Sequence, residues 1–112
     1  MTDPVRLPTH IEAGALIRRV QQEGGFATVL AKGAREAGTI LLILNDKGRE
    51  QQAWERMPNL DGERVWSLAK AENPDDPGAF AQWVDRRSGQ DRDLWIIELD
   101  IPNAQRFISP QG

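Results

Sequence analysis

The chain has 112 residues, 39% of them hydrophobic and 28% charged, with a net charge of −3 and no cysteine. That is room for one domain with its own core, and the missing cysteines remove disulfides, thiolate metal sites and thiol catalysis together. No apolar stretch nears the roughly 20 residues of a membrane helix, and Met1-Thr2-Asp3-Pro4 lacks the regions of a signal peptide, so a soluble cytoplasmic protein is expected.

Residues 1–9 carry two prolines and no periodicity, and read as a surface arm on a single domain spanning 1–112. Ala13, Leu16, Ile17 and Val20 then follow the i, i+3, i+4, i+7 rule, which predicts a first helix over Ile11–Glu23. Glu12 suits its positive end, and Gly24-Gly25 stops it. Two strands follow, Phe26–Lys32 and Thr39–Leu44, joined by a short glycine-bounded link that suggests a hairpin. Asn45-Asp46-Lys47-Gly48 is turn chemistry. Beyond it come Gln51–Met57, a turn through Pro58–Gly62, and Arg64–Ala71, giving a meander of two linked hairpins.

Asp76 can cap a second helix, with Pro77 at its first position. Phe80, Trp83 and Val84 form its apolar stripe, Arg87 continues it, and Ser88-Gly89 ends it. Leu94–Leu99 is a fifth strand and Gln105–Ile108 a short sixth.

The unbroken apolar run Thr39–Leu44 reads as a strand covered on both faces, and so, nearly, do Phe26–Ala31 and Leu94–Ile97. Strands three and four are mixed. The expectation is therefore an α+β fold, order α-β-β-β-β-α-β(-β), with a mainly antiparallel sheet. Strands one, two and five lie inside it, and the return strand lies beside strand one. The central strands are covered by one helix on each face, or by both helices on one face and a second copy on the other.

The runs Ala15–Val20, Gly25–Leu30, Gly38–Leu44 and Asp93–Glu98, with the closing Arg106-Phe107-Ile108, resemble a small alphaproteobacterial family. That family is known only as a domain of unknown function, numbered fourteen ninety-one. The resemblance covers nearly the whole chain. It implies a stand-alone bacterial domain of this size and brings no activity, cofactor or site residue.

Residues 1–49 hold seven basic and five acidic side chains, and residues 50–112 hold seven and twelve. That balance disfavours nucleic acid, which needs a basic face. His10, the only histidine, sits with Glu12 at a helix mouth and suits capping or exposure better than acid–base work. Asn73, Asp75 and Asp76 lack the ligand ladder of a calcium loop, so neither metal nor cofactor is implied. No phosphate loop or serine-nucleophile motif occurs.

The charged residues that could hold a ligand are Arg18, Arg19, Arg87 and Glu98. Glu98 shares a strand face with Leu94 and Ile96: either it is covered, with Arg19 or Arg87 as its mate and Arg18 left for an external ligand, or it reaches solvent near the strand's end and the arginines are ordinary surface charges. Trp54 and Trp66, on peripheral strands, either close the core's edge or form a partner-binding anchor. The leading expectation is a non-catalytic protein-interaction module that associates with a protein partner or with itself as a homodimer. The alternative is a small enzyme or ligand-binding protein with an arginine/carboxylate cleft beside strand five.

Overall fold

A computed structural model describes residues 7–58 and 64–108. The element order is α1 (Thr9–Gln22), β1 (Phe26–Ala31), β2 (Thr39–Asp46), β3 (Arg49–Pro58), β4 (Arg64–Ala71), α2 (Pro77–Gln90), β5 (Leu94–Asp100) and a 3-10 turn, η1 (Ala104–Phe107). This is the α+β fold anticipated, up to its last element. The expected sixth strand is η1 instead. Asn103 enters the left-handed region at φ 56°, and Arg106 and Ile108 donate their amides back to the carbonyls of Asn103 and Gln105. Residues 1–6 of the expected arm and 59–63 of the β3–β4 turn lie outside the described residues.

The sheet order is β1-β5-β2-β3-β4. The expected β1–β2 hairpin does not form, because β5 inserts between the two strands. It runs antiparallel to β1 and parallel to β2, so the sheet is mixed. The physical reason lies in β5, where Leu94, Trp95, Ile96 and Ile97 are all buried, which needs a strand neighbour on each side and a layer on each face. The β1–β2 link must then straddle the start of β5, and its glycines allow the close approach. A Cβ on Gly33 would fall 2.2 Å from the Asp93 carbonyl oxygen, and one on Gly38 would fall 2.5 Å from it. Trp95 Nε1 donates to the Ala34 carbonyl at 2.8 Å and ties the link down.

This insertion also corrects the placing of the strands. β1 is an edge strand, and β3 lies inside, between β2 and β4. Burial alternates along β1, with Phe26, Thr28 and Leu30 exposed. The return strand does lie beside β1, as expected.

One helix covers each face. Val20 and Ala13 of α1, with Phe107 of η1, pack on Ile40, Leu42, Leu44, Ile97 and Leu99. On the other side Phe80 of α2 packs on Leu41, Ile43, Ala53, Leu94 and Ile96. The middle of the sheet is thus sealed by this chain's own helices, without a second copy. Neither helix start uses a side-chain cap. At α1 the amides of Thr9 and His10 donate to the carbonyls of Glu36 and Arg35 in the β1–β2 link. Asp76 occupies the α2 cap position without making the expected side-chain bond.

Candidate interaction surface

The four charged candidates do not converge. Arg18 is exposed and turns back along α1 over Gly14. Arg19 stacks its guanidinium over Phe107, 5.2 Å from the ring centre, on the α1 face. Arg87 lies on the opposite face, where it pairs with Glu55 of β3 and stacks over Trp83 at 5.4 Å. Glu98 does share its face with Ile96, since its register partner is the α2-facing Ile43. Its partner, however, is the buried amide of Asn45, which donates Nδ2 at 2.9 Å, and not an arginine. Asn45 Oδ1 in turn accepts from Gly48, and Asp100 accepts the Lys47 amide at 2.7 Å. The Glu98 end of the sheet is thus a turn-fixing network. His10 is committed similarly, with Nδ1 donating to the Arg35 carbonyl at 2.9 Å.

Trp54 and Trp66 share a face. Both are partly buried against the α1-side core, and Trp54 Nε1 donates to Gln52 at 3.0 Å. Arg56 stacks over Trp66 at 5.2 Å. Sequence reasoning passed over Arg56, yet strand parity contains the signal: if Trp54 faces inward, Arg56 does too. It pairs with Glu12 of α1, while its Nε and Nη2 are buried without a hydrogen-bond partner. Beside this pair is a cavity of about 200 Å³ lined by Leu16, Arg19, Ile40, Arg56, Trp66 and Phe107, among others.

The largest exposed apolar side chains of any strand described lie on β1. Phe26 is 72% exposed and Leu30 is 51% exposed. Phe26 and Thr28 pair in register with Asp100 and Glu98, which places them on the α2 side, and Leu30 falls at a bulge in the β1–β5 ladder. The six residues Phe26–Ala31 include no charge and no proline. The outer edge of such a strand presents unpaired backbone donors and acceptors, which natural edges usually blunt with charge.

A profile described as "Protein of unknown function (DUF1491)" matches residues 7–109. The chain belongs to the DUF1491 family. A crystal structure of a DUF1491 protein from Caulobacter crescentus is 33% identical, with a TM-score of 0.70 over 93% of this chain and 96% of that one. An NMR structure of a DUF1491 protein from the same organism is 30% identical, with a TM-score of 0.74 over 95% and 96%. A solution structure of a protein from A. tumefaciens is 26% identical, with a TM-score of 0.72 over 96% and 100%. No curated protein matches. The family resemblance read from the sequence is therefore correct, and the DUF1491 name carries no activity with it. Among the described residues no helix of this DUF1491 domain is long and apolar enough to cross a membrane, and no group of three or more His, Cys, Asp or Glu could hold a metal.

Proposed function

We propose that this DUF1491 domain is a non-catalytic interaction module that accepts an added β-strand along the outer edge of β1. The observation that carries this reading is the uncharged edge strand with Phe26 and Leu30 turned to water. In strand addition, main-chain hydrogen bonds supply affinity and alternate side chains supply specificity. Phe26, Thr28 and Leu30 are the alternate side chains available for that. The test is recovery of bound proteins from the native cell by tagged wild type and by tagged Leu30→Lys. A specific set held by wild type and lost by the variant is expected. The same set on both would sink the proposal.

A second reading, small-molecule binding, draws on the α1-side cavity. Arg56 there has two unpartnered buried nitrogens, and Arg19 lines the same space. A small carboxylate with an apolar body matches those groups, provided the Glu12–Arg56 pair opens to admit it. A thermal melt unmoved by millimolar benzoate counts against this reading.

A further inference from the structure

Resting on the strand-addition reading, we infer that the strand added to β1 is β1 of a second copy, antiparallel about a two-fold axis at Thr28. The register follows from parity together with the cover that Phe26 and Leu30 can give each other. Opposed residues on one face of an antiparallel pair must have positions summing to an even number, and an axis at Thr28 makes that sum 56. Phe26 of each copy then opposes Leu30 of the other, Thr28 opposes Thr28, and Ala27 opposes Val29. The two exposed apolar side chains of β1 thereby cover each other, and no charge enters the seam. The bulge falls at Leu30, so Thr28–Thr28 and Ala27–Val29 pair as regular strand and the bulged residue supplies the other side of the Phe26 pair.

Charge placement selects the same arrangement. The strand is preceded by Glu23 and followed by Lys32, both exposed. Glu23 is held by Arg106 of its own chain, so Lys32 decides the direction: antiparallel pairing sets the two Lys32 side chains at opposite ends of the seam, whereas parallel pairing would set them together. Glu98, next to Thr28 in the sheet, meets no like charge across the seam. Three strand spacings separate it from its twin, about 14 Å, which exceeds the screening length of about 8 Å in physiological salt. The opposite edge is less suited, since β4 carries the charged Lys70. Six residues a side is a small interface against the usual 20–30, so the dimer is a weak one, in equilibrium with monomer.

The chain has no cysteine, so single substitutions report register directly. In the full chain, Thr28→Cys is expected to form a disulfide-linked dimer under mild oxidation. Phe26→Cys and Leu30→Cys should each form no disulfide-linked dimer alone yet cross-link when mixed. Sedimentation equilibrium of the wild type should show a concentration-dependent dimer, weakened about tenfold or more by Leu30→Lys. Cross-linking that ignores this pattern, or a wild type that stays monomeric at millimolar concentration, overturns the two-fold pairing. If the monomer still loses its captured proteins on Leu30→Lys, a foreign strand occupies β1 and only the two-fold inference falls. If Leu30→Lys changes neither association nor capture, both fall.

Discussion

The two faces of the sheet are closed to different extents. On the α1 side, helix and 3-10 turn together bury Ile40, Leu42, Leu44, Ile97 and Leu99, and the cover extends to Ala27 and Val29 of β1. On the α2 side only Phe80 of the helix is fully buried, Trp83, Val84 and Ala31 of β1 are partly covered, and Phe26 and Thr28 stay in water, as does Leu30 at the bulge. The difference shows that a sheet can be sealed at its centre on both sides and remain open at one edge of one side. The candidate interaction surface is that opening.

The comparison is tested most severely by core truncation. Leu42→Ala removes a side chain with no exposure and is expected to lower unfolding stability by about 4 kcal/mol, measured in urea. Phe80→Ala should cost less, about 3 kcal/mol, because a helix held mainly by one residue can shift to fill the space. It should also speed amide exchange across α2 while α1 is unaffected. The reverse ranking would break the contrast between the faces.

The ion pairs sharpen it at the next level. Glu12→Gln leaves Arg56 charged, with its buried nitrogens still unpartnered, and should cost roughly 1–2 kcal/mol. Arg56→Met removes those donors and should cost less. Glu55→Gln on the α2 side should cost under about 1 kcal/mol, since the Arg87 side chain is 23% exposed and keeps its stacking on Trp83. Equal losses for Glu12→Gln and Glu55→Gln would remove this distinction.

The smallest effect belongs to Glu98→Gln. The amide oxygen can still accept from Asn45, so a change under about 0.5 kcal/mol in a thermal or urea melt is expected. Asn45→Ala breaks the bonds to both Glu98 and Gly48 and should cost about 2 kcal/mol. A large loss from Glu98→Gln would mean that its carboxylate charge matters after all.

Local patterning was enough for the helix stripes, the Asn45–Gly48 turn and the doubly covered β2, because each is set by neighbours within a few residues. The candidate site was less legible. Phe26-Ala27-Thr28-Val29-Leu30-Ala31 reads as a nearly continuous apolar run, like an interior strand, although only its small residues and Val29 turn inward. Strand face alone points Glu98 toward arginines, whereas its partner is Asn45, 53 residues away in sequence. Arg56 is poorly legible in the sequence because a charged residue in a mixed strand is ordinarily solvated, whereas here Glu12 and Trp66 close over it.

By itself the sequence determined the element types and their order as far as β5, since periodicity, turn residues and helix breakers act over short distances. The order of strands was decided only by the tertiary structure. The two-sided burial of β5 needs a place between β1 and β2, and that one long-range choice separates an apparent hairpin, turns a glycine-bounded link into a bridge, and leaves β1 at the rim.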